Sequence, residues 1–161
     1  ILQPFTKTDL SAIRYYWFVV GEVMDVPAMI ARTGYTGEDG FELYIPAGTA
    51  EGMWNALLEA GKSEGLLPAG LGCRNTLRLE AAMNLYGHEM DETTTPYESG
   101  LGWITKLDKG KFLGRSILQS QKETGAALQL VGFRMIGRGI ARDDAPVWKD
   151  GQQIGKVTSG S

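Results

Sequence analysis

Between Arg32 and Pro46 the chain reads RTGYTGEDGFELYIP, three glycines in seven residues followed by a strict apolar–polar alternation. Glycine supplies positions with positive φ, so this stretch demands a tight hairpin-like turn delivering a short strand. On that strand Phe41, Leu43 and Ile45 share one face, while Glu42 and Tyr44 share the other. Any fold for this chain must therefore hold a sheet that turns a carboxylate away from its core. The glycines at 34, 37 and 40 lead into a strand and not into a helix. They are neither a dinucleotide fingerprint nor a P-loop.

The remaining elements follow from periodicity and punctuation. Asp9–Ile13 predicts a short helix capped by Thr8 or Asp9. Residues 15–24 and 27–33 predict two strands around Asp25-Val26-Pro27, with proline at a strand start. A helix capped by Thr49 carries Met53, Trp54, Leu57 and Leu58 as its apolar stripe and ends at Gly61 or Gly65. A second covers roughly 72–85, with Leu77, Ala81 and Leu85 on its buried face. Residues 86–103 have loop chemistry, and 114–123 predict one more helix. Beyond residue 125 the pattern switches to short strands at 128–135, 145–148 and 152–158, separated by Gly and Asp turns, so the domain boundary is expected at 125/126.

Composition narrows the function classes. A chain of 161 residues can bury one sizeable core. Its formal net charge of −3 lacks the basic footprint of a nucleic-acid binder. The most apolar run, Tyr15–Val20, is strand-length and far short of a bilayer span. One cysteine, Cys73, and one histidine, His88, give neither a disulfide framework nor a metal site of the usual ligand count. Opening on Ile1 without a Met or a signal peptide, and closing on GKVTSGS, the chain reads as a fragment.

Two residues stand out chemically. Glu42 lies on the strand face that is solvent in most sheets. The alternative is a binding face walled by Tyr35 and Tyr44, where a carboxylate suits the paired N–H donors of a flat heterocycle such as a pterin. Arg74 sits in the first turn of its helix, against the macrodipole, with Arg78 repelling it from i+4. These penalties call for a fixed anion nearby, from the protein or a ligand. Arg78 is expected in a structural role, snorkelling to a surface acid. Trp103, after Leu101-Gly102, is either core or a surface for a ligand or another domain. His88 reads as a hydrogen-bonded loop residue, and Glu98 as a cap.

The blocks RTGYTGEDGFELYIP, GLGCRNTLRLEAAMNLYGHEM, TTTPYESGLGW, LVGF and IGKVTSG carry a further signal. In that order, from about Val20 onward, the chain resembles the glycine cleavage system T-proteins, tetrahydrofolate-dependent aminomethyltransferases. The resemblance implies an α+β protein. Residues 1–125 would be the later part of a folate-binding domain of mixed sheet and helix, and 126–161 the opening strands of a truncated C-terminal β-barrel. In the family, an aminomethyl group on the lipoyl arm of the H-protein passes to tetrahydrofolate, giving ammonia, 5,10-methylenetetrahydrofolate and the reduced lipoyl dithiol. Folate contacts map onto Glu42, Arg74, Trp103 and Tyr35. Tetrahydrofolate enters as a substrate and no metal is implied. The expected partners are lipoylated H-protein and folate, without nucleic acid or membrane, in the cytoplasm or the mitochondrial matrix of a eukaryote. The family's key aspartate lies upstream of anything present, so no catalytic residue is expected in this chain. An exposed sheet edge would make it marginal alone. Three alternatives stay open: the folate domain of a dimethylglycine or sarcosine dehydrogenase, a non-enzymatic relative in iron–sulfur maintenance, and a structural fragment without activity. The second carries a KGCYxGQE-type motif where this chain has RTGYTGEDG.

Overall fold

The computed structural model describes residues 1–161, which form two compact units, Ile1–Ala81 and Ala82–Ser161. The molecule mixes helix and strand in both.

The first unit is built on an antiparallel sheet of β1 (Phe18–Val23), β2 (Val26–Ala31) and β3 (Glu42–Tyr44), in that spatial order. β1 and β2 are joined by Met24 and Asp25, at φ 55° and 59°. Positive φ at both central residues is the two-residue hairpin geometry that matches strand twist. Pro27 stands opposite Glu22 of β1, while β3 pairs only with Met29–Ala31. At Pro27, therefore, β2 has no neighbour on its second side, and the missing donor is tolerated.

One sheet face packs the core. Val23 and Ile30 are wholly buried, joined by Leu10, Ile13, Ala28 and Met53, with Phe41, Leu43 and Ile45 half-buried against them. Full burial of a side chain like Ile30 contributes about 1.5–3 kcal/mol. The alternation of residues 41–45 thus resolves as expected, with Glu42 and Tyr44 on the outer face. Asp9 caps a 3₁₀ turn at Leu10–Ala12 by accepting from Ser11 N at 2.9 Å.

Helix α1 (Ala50–Ala60) buries Met53 and half-buries Leu57 and Leu58, but leaves Trp54 exposed. Thr49 does not cap it through its side chain. Its own backbone is already helical (φ −103°, ψ −7°), and its Oγ1 donates backward to Pro46 O at 2.7 Å. Gly61 ends the helix, and Gly65 takes the left-handed conformation after a 3₁₀ turn at Lys62–Glu64. Helix α2 (Leu71–Glu80) is shorter than the apolar spacing predicts. Ala82 turns left-handed at φ 55°, and Leu85 is drawn into loop bonds, its N–H donating to Glu89 Oε2 at 2.9 Å. Local side-chain acceptors of this kind compete with helix continuation.

In the second unit the loop from residue 86 is held by short-range polar bonds. Asp91 Oδ1 accepts from Thr93 N, Thr93 Oγ1 and Thr94 Oγ1 at 2.7–2.9 Å. Thr95 N donates to Glu98 Oε2 at 2.8 Å while Glu98 N donates to Thr95 Oγ1 at 3.3 Å. This reciprocal pair is a capping box and accounts for Glu98. Helix α3 spans Arg115–Thr124. β4 (Pro146–Lys149) and β5 (Gln152–Lys156) form an antiparallel hairpin across Asp150-Gly151, both at positive φ. Residues 128–135 are not a strand. A strand exists only as a ladder, and the single long-range backbone bond here is Leu130 N to Glu98 O at 2.8 Å.

Candidate functional site

The site grows from the end of β2. Arg32, just past that strand, grips Asp39 across the glycine loop: Nε donates to Oδ1 at 2.8 Å and Nη2 to Oδ2 at 2.7 Å. Its Nη1 donates to Ile13 O at 3.0 Å, anchoring the fork to the preceding chain. Such bidentate pairs fix geometry as well as adding energy. The guanidinium beside Asp39 holds that carboxyl below its usual value, and Asp39 in turn raises Arg32.

The closed loop then docks on α2. Gly37 sits at φ +79°, and a Cβ there would lie 2.7 Å from the Ala81 Cβ. Only glycine satisfies both conditions. Seating the loop on the helix end brings the Tyr35 ring to 4.4 Å from the Arg74 guanidinium carbon. The penalties noted for Arg74 are thus met by an aromatic ring and not by a carboxylate. A cation–π contact at an exposed site is worth about 0.5–1 kcal/mol, enough to offset a few tenths lost to the dipole and to repulsion.

Glu42 completes the constellation. It lies opposite Ala31 in the register, and its Oε2 accepts a hydrogen bond from Thr33 Oγ1. Thr33, Tyr35, Glu42, Gly70, Arg74 and Leu77 line one open depression of about 350 Å³. Glu42 is solvent-exposed, yet it stands at a walled depression with the guanidinium, not on a bare face. Tyr44 shares its sheet face but does not line the depression, because two residues along a strand carry it roughly 6–7 Å away. Trp103 belongs to the second unit, in a 3₁₀ turn at Gly102–Ile104, where it is 76% exposed. It is therefore not core. Three of the four expected residues share this depression. An ionised acceptor, an aromatic ring and a guanidinium around one hollow suit a flat, polar heterocycle bearing N–H donors.

The other candidates fall into structural places. Arg78 does not snorkel to the surface: it is 1% exposed, and its Nε donates to Asn75 Oδ1 at 2.9 Å. A buried guanidinium must find fixed partners. His88 Nδ1 lies 3.2 Å from Thr158 O and 3.3 Å from Asp143 Oδ2, a hydrogen-bonded loop residue as expected. Cys73 is a free, exposed thiol. No cluster of three His, Cys, Asp or Glu side chains is placed to hold a metal. No helix is long and apolar enough to cross a membrane. Thr33, Arg32 and Asp39 went unmarked in the sequence. The one local signal is that opposite charges, Arg32 and Asp39, flank Gly34 and Gly37.

Comparison with known proteins adds an independent line. The model of the GCVT N-terminal domain matches residues 1–109, and that of the glycine cleavage T-protein C-terminal barrel domain matches 129–161. The chain is 54% identical to an aminomethyltransferase of Desulfitobacterium hafniense, covering 100% of this chain and 44% of that protein. It is 53% identical to one from Moorella thermoacetica with the same coverage. The crystal structure of glycine cleavage system aminomethyltransferase T from Bartonella henselae superposes with a TM-score of 0.82 at 33% identity, over 94% of this chain and 41% of that one. The chain spans less than half the length of these relatives.

Proposed function

The chain belongs to the glycine cleavage T-protein family, and from that premise we propose that it is part of a tetrahydrofolate-dependent aminomethyltransferase whose folate site includes Glu42, Arg74 and Tyr35. The full reaction moves the methylene of a lipoyl-bound aminomethyl group to tetrahydrofolate and releases ammonia. The proposed partners are the lipoylated H-protein and folate, and the proposed compartment is the cytoplasm. Residues 126–161 begin the barrel domain in this reading, and Trp103 is a further candidate contact.

One observation carries the folate assignment: Glu42, Tyr35 and Arg74 line a single depression. The donor set fits the substrate. The Glu42 carboxylate offers an ionised acceptor for a pair of N–H donors, the Tyr35 ring a flat apolar wall, and Arg74 a fixed positive charge. None of the three is asked to transfer a proton. Their part is to hold the ring system in one orientation, and positioning of this kind can supply roughly 7–11 kcal/mol at best.

The test is kinetic. In the full-length protein, Glu42→Ala and Arg74→Ala should each raise the apparent folate KM by about 10- to 100-fold, with a smaller fall in kcat. Wild-type folate binding in both variants would overturn the assignment.

A further inference from the structure

Thr33 contributes the one hydrogen bond that fixes the Glu42 side chain, its Oγ1 donating to Glu42 Oε2. The two residues come from different segments, Thr33 following β2 and Glu42 opening β3. Arg32, next to Thr33, is locked by its fork on Asp39 and by Ile13 O. Thr33 thus follows directly on an anchored residue, while Glu42 has no other fixed partner. A carboxylate offers about four lone-pair sites on its two oxygens. With one of them held by Thr33, the other lone pair of Oε2 and both of Oε1 stay open for a pair of N–H donors.

We propose that Thr33 is the positioning residue of the folate site, acting on the ligand through the orientation it gives the Glu42 carboxylate. This rests on the folate reading above. In the free protein the Thr33–Glu42 bond is exposed, so water competes and the bond adds little to stability. Beneath a bound heterocycle water is excluded, and the same bond strengthens in the lower local dielectric. A scaffold contact would act on folding; this one acts on affinity.

Thr33→Val keeps the shape and removes the hydroxyl, while Thr33→Ser keeps the hydroxyl. In the full-length protein, tetrahydrofolate binding by calorimetry should weaken about 3- to 10-fold in Thr33→Val and return to within about twofold of wild type in Thr33→Ser. The melting temperature without ligand should not move, KM should rise with kcat unchanged, and the Thr33→Val effect should vanish in a Glu42→Ala background. Wild-type affinity in Thr33→Val alongside lost affinity in Glu42→Ala overturns the role of Thr33 and leaves the folate site standing. So does a loss of affinity that Thr33→Ser fails to restore, or one that persists in the Glu42→Ala background. Wild-type affinity in Glu42→Ala removes the folate reading itself, and this proposal with it.

Discussion

Arg74 and Arg78 lie one helical turn apart on α2 and meet opposite environments. Arg78 is dry and bonded to Asn75, whereas Arg74 is exposed and stacked on Tyr35. Truncating the first removes buried packing and strands the acceptor of Asn75, so Arg78→Ala should lower unfolding stability by roughly 3 kcal/mol. Truncating the second loses one surface contact, and Arg74→Ala should cost less than about 1 kcal/mol. Urea midpoints of the two variants check this ordering, and equal shifts would contradict it. The sequence alone pointed to the special position of Arg74, because its cost against the dipole is a local property. It could not identify Thr33, Arg32 or Asp39. Those pairings exist only once the loop has closed and brought residues seven and nine apart into contact.

At the scale of elements, the glycine loop and the end of α2 are one assembly. Gly37→Ala adds a left-handed backbone penalty and drives a methyl against Ala81, a combined loss of about 1–3 kcal/mol. Adding Ala81→Gly should recover only the steric share, since the strain at φ +79° remains. Denaturation of the single and double variants separates the two parts. Ala82, left-handed at φ 55° just after the helix, should gain about 0.5–1 kcal/mol when replaced by glycine. The strands and the two main helices were legible because their apolar periods are local. Their ends were less so. α2 stops early because Glu89 captures Leu85 N, and residues 128–135 have β-forming side chains without a neighbouring strand. The first turns on a side-chain acceptor four residues along the chain and the second on a partner strand that never forms, and apolar periodicity encodes neither.

Across the whole molecule, charge sets a pH window. Asp9, Asp39, Asp91 and Asp144 are all held below their usual values, first by side-chain bonds from Ser11, Arg32, Thr93 and Lys156 respectively. A depressed folded pKa adds stability that is present above the unfolded value and lost as pH falls through the folded one. Thermal melts should therefore hold steady above about pH 4 and fall below it. Lys156 is raised by Asp144, so its contribution is present below about pH 10.4 and disappears as pH climbs past its higher folded value. Surface apolar groups make a second molecule-wide expectation. β1 is an edge strand, and Trp17, Phe18 and Val20 on or beside it are more than half exposed. Sedimentation of the 161-residue chain should reveal self-association that Val20→Lys reduces. A monomer at every concentration would refute that.

The pairing of Ile30 with Leu43 and of Ala31 with Glu42 has one more implication. Sliding β3 by a single residue would turn the acid inward and Phe41 and Leu43 out into water. Selection for a dry interior and selection for an outward acid thus act on the same alignment. Refolded protein that regains its resistance to proteolysis should, on the proposed folate reading, regain ligand affinity in the same proportion.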